Sequence, residues 1–414
     1  MIIFTVLNQS NNNQSIFTSF LHKNFRWFFL ASFASWLALN MQITARSWLI
    51  LRLTEDSPFL LSIMTLAFAL PMTFFSPITG VLADRFSRKK LITISQFSNA
   101  VVIIILALLD YSGLVQYWHV VLIAFCNGSL MSLNMPSRQA MISDLVPENK
   151  LMNAISLSNT SNNLSRAFGP AIAGILIILI DTSGAFLAVS FTFLMSALII
   201  SLISYNKTKL DQKSQSFISD LKAGIRYAFS NVQLRPLFIL MFLSVMFGFP
   251  YFVLIPAWAK EVLGINADGL GYLLTSIGLG ATVGTFGLAA LGKSSNKGKI
   301  LIFFGLLWGL SLATFAQTNE YLIALIFLFF IGLSSAAFMS LTMTLIQIKS
   351  ATEFRGRTMS LAMMTFGLMP LSAVPFGTLA EQIGTANALT ISGTLLFVIT
   401  LIYFVINKKI RHLN

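Results

Sequence analysis

The sequence predicts an all-α membrane protein with twelve transmembrane helices in two pseudo-symmetric six-helix bundles. Composition is the first observation: 56% of the 414 residues are hydrophobic, 10% are charged, and the mean hydropathy is +0.80. A soluble domain carries roughly a quarter charged residues, so this composition excludes a soluble globular protein. The other two observations are a series of twelve long apolar runs and a hydrophilic stretch that separates the first six runs from the last six.

Each run is long enough to cross a hydrocarbon core of ~30 Å as a helix, provided that the run of span five includes its polar first turns. The runs are continuous and do not alternate in polarity, so they do not predict a transmembrane β-barrel. The predicted spans lie near residues 27–51, 57–82, 91–110, 118–138, 156–180, 185–204, 237–262, 267–291, 300–317, 321–347, 357–381 and 386–406.

The spans divide the chain into five predicted parts. These are a cytosolic N-terminal tail (1–26), a first six-helix bundle (27–204), a cytosolic linker (205–236), a second six-helix bundle (237–406) and a cytosolic C-terminal tail (407–414). Within the linker, apolar residues recur at helical spacing from Phe217 to Phe229, opposite Lys222 and Arg226. This pattern predicts an amphipathic helix, which either lies on the inner leaflet or is a solvated linker helix.

A repeated spacing supports an internal duplication. Glu148 and Pro170 are 22 residues apart, and so are Glu353 and Pro375, with each pair running from a predicted loop into an odd-numbered span. Together with the equal number of spans in the two halves, this spacing is typical of transporters built from internal repeats.

The charges predict the orientation of the chain in a cell (cytoplasmic or inner) membrane. With the N-terminus in the cytosol, 23 of the 27 Lys and Arg residues fall on the cytosolic side, whereas eight of the 14 acids fall at the outer ends of spans. Cytosolic loops of membrane proteins carry an excess of basic residues, so both termini are predicted to be cytosolic. The net charge of +13 therefore follows from topology and does not indicate a nucleic-acid partner.

Several kinds of site are not indicated by the sequence. Cys126 is the one cysteine, and the three histidines are widely scattered, so neither a disulfide nor a metal site is predicted. The stretch from Gly287 to Ser294 has the spelling of a P-loop, but a membrane helix precedes it where that phosphate-binding loop needs a strand. We therefore predict no metal and no cofactor.

Span five carries a polar stripe. Ala167–Ile180 is its purely apolar part, and those 14 residues are too short to cross the hydrocarbon core, so the span must include the polar turns before them. Ser156, Asn159, Asn163 and Arg166 recur in those turns on one helix face. Such a face avoids lipid, and we expect it to border a wet cavity or polar neighbours.

Polar residues in spans one and four extend the candidate cavity. The predicted substrate cavity is lined by Gln42, Arg46, Asn127, Asn134, Asn159, Asn163 and Arg166. Two alternatives stay open: Arg166 forms part of a static helix-packing site, or Arg46 simply extends to the outer interface. Because no span carries a carboxylate near its centre, the buried positive charge favours an anionic substrate over a lipophilic cation.

Prolines and glycines predict where helices bend. Breaks in corresponding helices of the two halves suit the gates of a transporter, although kinks without function are common. The candidate bending residues are Gly169, Pro170, Gly174, Pro250, Pro256, Pro370 and Pro375.

Residues 80–91, between spans two and three, read GVLADRFSRKKL. This loop resembles the signature of the major facilitator superfamily, with Ser87 where a glycine is usual. The resemblance implies a cytoplasmic gate motif formed by Gly80, Asp84, Arg85 and Arg88. The run that starts at Gly169 and Pro170 resembles the fifth-helix motif of exporters in the same superfamily. The matching loop of the second half has Leu291 in place of the acid. The gate motif is therefore predicted in the first half only.

Further stretches are similar to the branch that contains the enterobactin exporter and the transmembrane secretion effectors. They begin at Asn134 (NMPSRQA), Leu145 (LVPENKLMNA), Phe247 (FGFPY) and Arg355 (RGRTMSL). The resemblance implies proton-linked efflux, by alternating access, of a small anionic or amphiphilic molecule such as a siderophore or a drug, and we expect a monomer. A nutrient importer of the same fold is the main alternative. A polytopic membrane enzyme and a non-transporting sensor are disfavoured, because the sequence shows neither an interfacial cluster of catalytic groups nor large cytosolic modules.

Overall fold

The structure is a computed structural model that describes residues 18–204, 217–290 and 296–407. For residues 76–78, 80, 81, 83–85, 217–221, 289, 290, 352 and 366 it describes the backbone alone. The described residues form helices joined by short connections, and no strand occurs among them. Two short 3₁₀ helices, Thr18–Leu21 and Thr352–Phe354, accompany the α-helices.

The first half contains six spans. Spans one to four are Lys23–Leu53, Pro58–Arg85, Arg88–Tyr111 and Tyr117–Leu145. Spans five and six together form Glu148–Ser201, which leaves helical geometry at Ile180 and Asp181. The chain reverses there, because Lys150 near the start of this segment and Ser204 just after its end both lie beside the beginning of span one.

The second half also contains six spans, two of which are interrupted. Span seven consists of Leu234–Gly248 and Pro250–Leu263, and span eleven consists of Arg355–Gly367 and Met369–Ile383. Spans eight, nine, ten and twelve are Ala267–Ala290, Lys297–Ala316, Tyr321–Lys349 and Thr385–Ile406. The prediction of an all-α protein with twelve spans is confirmed, whereas the exact domain boundaries stay a prediction.

The two interruptions occur where proline removes a backbone donor. Span seven breaks at Phe249, just before Pro250, and span eleven breaks at Leu368, two residues before Pro370. Proline has no N–H group to continue the helical ladder and its ring crowds the preceding turn. The helices continue through Pro170, Pro256 and Pro375.

The two ends of the helix bundle differ in charge. We call one the acidic end, where the spans carry Asp56, Asp110, Asp181, Glu261 and Glu381, and the other the basic end, which includes Arg88, Lys89 and the linker helix Phe217–Ser230. The charge pattern predicts that the basic end is cytosolic.

Hydrophobic packing joins the halves unevenly. One cluster of buried residues, centred on Trp258 and Trp308, belongs to the second half. Another, from Ala38 to Phe193 in the first half, also includes Val253, Ala257, Ala267 and Ala373 from the second half. The cluster at the basic end, around Phe25 and Phe28, contains residues of the first half alone. Among the described side chains, the buried apolar contact between the halves is therefore concentrated away from the basic end.

The linker helix packs on the second half. Tyr227 stacks on Phe354 with ring centroids 4.2 Å apart, and its hydroxyl accepts a 3.0 Å hydrogen bond from the backbone N–H of Ala351. Ala228 is fully buried, whereas Lys222 and Arg226 are exposed. The helix is therefore tied to the start of span eleven and is not a free solvated linker; the side chains of Phe217, Ile218 and Leu221 lie outside the described residues.

Spans eight and ten approach closely through small residues. A methyl group added at Gly280 would collide with the carbonyl oxygen of Phe329, and one added at Gly332 would collide with that of Ile277. Small residues of this kind let two transmembrane backbones come into contact.

We expect Gly280→Val to destabilise the second half by about 3 kcal/mol, because the clash is with backbone, which cannot move aside as a side chain can. Gly287→Val is the matched control, since nothing lies within 4 Å of the added carbon at that position of the same span. Thermal unfolding of detergent-solubilised protein measures both variants. Equal midpoints for the two would contradict the proposed packing of spans eight and ten.

Candidate functional site: the space between the two halves

The halves meet along span five and span eight. Carbon atoms added at Gly278 and Gly271 of span eight would lie 2.8 Å from the Cα of Ala167 and 2.6 Å from the carbonyl oxygen of Pro170. A carbon added at Gly174 of span five would collide with the backbone of Ala267. The two backbones are therefore in direct contact from the acidic end to the level of Arg166.

The polar stripe of span five continues along this same helix face. At 100° per residue, Asn159, Asn163 and Arg166 lie within one quadrant of the helix that also contains Pro170 and Gly174. Asn159 and Arg166 are exposed and Asn163 is partly exposed. Because Pro170 and Gly174 contact span eight, the stripe faces the space between the halves and not the lipid.

Arg166 lies at the end of the contact that the glycines of span eight make with span five. It lines a small cavity of about 30 Å³ together with residues of spans one, seven and eight, including Asn40, Phe252 and Gly278. No described residue forms an ion pair or a hydrogen bond with its side chain. Its guanidinium is consequently available to a ligand that enters the space between the halves.

A larger cavity lies between spans one, two, seven and eleven. Its volume is about 190 Å³, and we call it the Arg46 cavity. Its lining is mainly apolar and comprises Ile43, Arg46, Ser47, Met64, Thr65, Phe68, Ala69, Met72, Thr73, Phe252, Val253, Gly367, Met369 and Pro370. Ile43, Ser47 and Phe252 also line the smaller cavity, so the two are neighbours.

Arg46 is buried in the wall of this cavity. Its residue surface is 3% exposed, and its guanidinium carbon lies 4.9 Å from the centroid of the Phe68 ring. Its Nε and Nη1 atoms are buried and find no hydrogen-bond partner among the described residues. The alternative in which Arg46 extends to the outer interface does not fit this burial, because an interfacial arginine keeps its charged group in water.

The interrupted helices of the second half also reach this cavity. Phe252 lies three residues beyond the break at Phe249 in span seven, and Gly367 and Met369 flank the break in span eleven. Interrupted helices are the places where transporters form substrate sites, since they offer irregular backbone within the membrane. The sequence identified the prolines but not the position of the breaks beside Arg46.

Five of the seven predicted cavity residues line neither of these two cavities, and three of the five lie inside the first half. Gln42, Asn127 and Asn134 are each 1% exposed and do not line either cavity. Gln42 donates a hydrogen bond to Asn127, and Asn127 donates one of 2.8 Å to Asn99. These amide hydrogen bonds therefore connect spans one, three and four inside the first half.

Arg138 extends this internal network toward the basic end. Its Nε donates to Asn134 at 3.1 Å, its Nη1 donates to Ser32 at 2.6 Å, and Asn134 donates to Ser95 at 2.8 Å. Sequence reasoning did not identify Ser32, Ser95 or Asn99 as partners. Each occurs within an apolar run with no distinctive spacing, so the sequence contains no signal that would pair them.

Polar contacts cross between the halves at the acidic end. Lys260 of span seven pairs with Asp56, which follows span one. Glu381 of span eleven accepts hydrogen bonds from the Ser57 hydroxyl at 3.0 Å and from the backbone N–H of Phe59 at 3.3 Å. These contacts and the close packing of spans five and eight close the acidic end in this structure.

The gate motif at the basic end is described in part. The side chains of Gly80, Asp84 and Arg85 lie outside the described residues, so their predicted role stays a prediction. Arg88 pairs with Asp144 at 2.7 Å and donates to the carbonyl oxygen of Ala140 at 3.0 Å, with both charged side chains nearly buried. This residue of the motif therefore joins spans three and four within the first half.

Twelve membrane-crossing helices in two bundles, with cavities between the bundles that arginine side chains line, define a multi-pass membrane transporter for a small molecule. The chain belongs to the transmembrane secretion effector family, whose model matches residues 14–413. It is 25% identical to the staphyloferrin A transporter of Staphylococcus aureus (strain NCTC 8325 / PS 47) over 93% of this chain and 97% of that protein. It is 24% identical to macrolide efflux protein A of Streptococcus pyogenes over 88% of this chain and 92% of that protein.

Solved structures show the same fold at low identity. The nucleoside transporter NupG superposes with a TM-score of 0.74 at 14% identity, covering 93% of this chain and 99% of that one. A bacterial homologue of the lysosomal transporter Spinster, in an inward-facing and occupied conformation, superposes with a TM-score of 0.71 at 13% identity, covering 95% and 97%. The resemblance to the major facilitator superfamily is confirmed. The relatives reported above are named as a transporter and an efflux protein.

We expect Asn127→Ala to lower the unfolding free energy by about 2 kcal/mol, because it leaves the buried amides of Gln42 and Asn99 without their partner. Ser129→Ala is the matched control in the same span, since its hydroxyl bonds to the carbonyl of its own helix one turn earlier. Unfolding in detergent measures both. If Asn127→Ala is as stable as the control but loses ligand binding, the residue belongs to the cavity and not to the network.

We expect the double variant Asp56→Asn and Glu381→Gln to open the acidic end more often. Removing about 1 kcal/mol of interaction free energy between the halves raises the population of molecules that are open at the acidic end about fivefold. The measurement is the rate at which an impermeant maleimide, added to intact cells, labels Ser47→Cys in a Cys126→Ser background. Glu320→Gln, an exposed acid at the same end, is the control. An unchanged labelling rate in the double variant would show that these contacts do not hold the acidic end closed.

Proposed function

We propose that the chain is an exporter that moves a small anionic or amphiphilic molecule, such as a siderophore or a drug, across the inner membrane by alternating access. The single observation that carries this proposal is a pair of arginines, Arg46 and Arg166, that face cavities between the halves without an acidic partner among the described residues. Buried positive charge without buried negative charge favours an anion.

The conformation of the molecule is the one expected when an exporter takes up its cargo from the cytosol. The acidic end is closed by the contacts of Asp56, Lys260 and Glu381, whereas the buried apolar contact between the halves does not extend to the basic end. We propose, from the charge distribution, that the basic end and both termini are cytosolic. A cargo molecule would then enter from the cytosol along the stripe of Asn159, Asn163 and Arg166.

The relatives support the class of cargo. The name of one relative states transport of a siderophore, and the name of another states efflux of macrolides. We propose that this chain carries cargo of comparable size and amphiphilic character.

We propose that the proton gradient drives export. Glu381 is one candidate for the coupling group, because it accepts hydrogen bonds from Ser57 and Phe59 across the two halves at the acidic end. Asp84 is the other candidate, from the gate motif. We further propose that one copy of the chain suffices, because both halves of the site belong to it.

The nutrient importer is the alternative of the same fold, and the direction of net movement distinguishes it. Inside-out vesicles that accumulate the cargo under an acidic interior support export, whereas gradient-driven accumulation by intact cells supports import.

The test compares three probes in such vesicles: a carboxylate siderophore, the macrolide erythromycin and the lipophilic cation ethidium. We expect the siderophore to accumulate and Arg166→Gln to lower its uptake about tenfold, because a charge-assisted hydrogen bond contributes about 1.5–3 kcal/mol. Lys222→Gln, on the exposed face of the linker helix, is the control. Preferential uptake of ethidium, or siderophore uptake that does not change in Arg166→Gln, would contradict the proposed anion site.

A further inference from the structure

We propose that the Arg46 cavity is the charge-selective subsite for the cargo: Arg46 binds a carboxylate, and the apolar part of the same molecule lies against Phe68 and the neighbouring methionines. This inference rests on the proposed function, since it takes the space between the halves as the path of the cargo. Beyond the proposed function, the inference names the residue that distinguishes an ionised cargo from a neutral one. It also states which kind of chemical group binds next to the carboxylate.

Burial makes Arg46 the more discriminating of the two arginines. Arg166 is exposed to the space between the halves, whereas Arg46 is 3% exposed. A charge that is exposed to water is screened, so its interaction with a partner is weaker than that of a buried charge. A charge that is already out of water interacts strongly with an anion and only weakly with a neutral molecule of equal shape.

The donors of Arg46 are not used by the protein. Its Nε and Nη1 have no hydrogen-bond partner among the described residues, and no described acid lines the cavity. A buried cation is costly unless it is paired, and buried polar groups in proteins almost always have a partner. A side chain with these properties, on the wall of a cavity, indicates that a ligand anion supplies the missing acceptors.

The Phe68 ring holds the guanidinium of Arg46 in place but leaves its Nε and Nη1 donors without a hydrogen-bond acceptor. The ring centroid lies 4.9 Å from the guanidinium carbon, which is within the range of a cation–π contact. Such a contact orients the group and leaves its N–H donors free for a carboxylate, whose charge-assisted hydrogen bonds are stronger. The same ring would then lie beside the bound anion and contribute an apolar surface.

The rest of the cavity selects an apolar group. Met64, Met72 and Met369 contribute flexible thioether side chains, and Val253 adds a branched aliphatic one. Methionine adapts to ligands of different outline, so this wall favours apolar character over a particular shape. A volume of about 190 Å³ accommodates a small ring or a short chain next to the carboxylate.

The experiment uses the full chain in nanodiscs of uncharged lipid and two probes of equal shape, 4-phenylbutanoate and 4-phenylbutanamide. Calorimetric titration measures their dissociation constants. We expect wild type to bind the acid about tenfold more tightly than the amide, and Arg46→Gln to reduce this preference to about twofold or less. Lys222→Gln, on the exposed face of the linker helix, serves as the control and keeps the preference, because it is remote from the cavity.

A second variant keeps the inference testable if Arg46→Gln does not fold. Ala69→Leu fills the cavity without removing the charge, and we expect it to weaken binding of the acid and of the amide about tenfold. Binding that is unchanged in Ala69→Leu, a preference for the acid that survives in Arg46→Gln, or wild type that does not bind the acid would each overturn the inference.

These outcomes are separable from those of the proposed function. If vesicles accumulate the siderophore while Arg46→Gln still prefers the acid, the inference fails and export stands. If Arg46 determines the preference while no gradient-driven movement occurs in wild type, the subsite stands and export fails.

Discussion

Hydrocarbon offers no hydrogen-bond partner, and this constraint determines where each polar side chain of the spans can be placed. In the first half the amides of Gln42, Asn99 and Asn127 hydrogen-bond to one another, and Arg138 donates hydrogen bonds to Asn134 and Ser32. Arg46 and Arg166 are not satisfied in this way, and both lie beside cavities between the halves. The polar groups therefore separate into those that hold a bundle together and those that face the path of a ligand.

The two halves differ in how they are held together. Side-chain hydrogen bonds run through the interior of the first half from Gln42 to Arg138, which ties spans one, three and four into one unit. The second half has a large apolar cluster around Trp258 and Trp308, and its spans seven and eleven are interrupted at Phe249 and Leu368. We infer that bending during transport occurs mainly in the second half, because the interruptions of spans seven and eleven leave those helices without a continuous hydrogen-bond ladder.

The contact between the halves combines two kinds of interaction with different roles. Glycines of span eight bring its backbone against Ala167 and Pro170, and this packing needs no charge. The pairs of Lys260 with Asp56 and of Glu381 with Ser57 lie at the rim, where water can reach them. Exposed ion pairs contribute little free energy, so these contacts favour the closed state of the acidic end but still permit it to open. A transporter needs such a balance, because a gate that is too stable would stop the cycle.

The sequence by itself determined the class of protein, the number of spans and the prolines beside which spans seven and eleven break, because hydrophobic length, basic loops and proline act locally along the chain. It also determined that Arg166 does not face lipid, since one helix face carries its polar neighbours. The tertiary structure alone decided which polar residues belong together. Gln42 and Arg46 are one helical turn apart, yet Gln42 lies in the network and Arg46 in the cavity, because the spans packed against the two positions are different. Contacts between distant spans such as Asp56 with Lys260 have no local signature, so their pairing became visible with the packing of the helices.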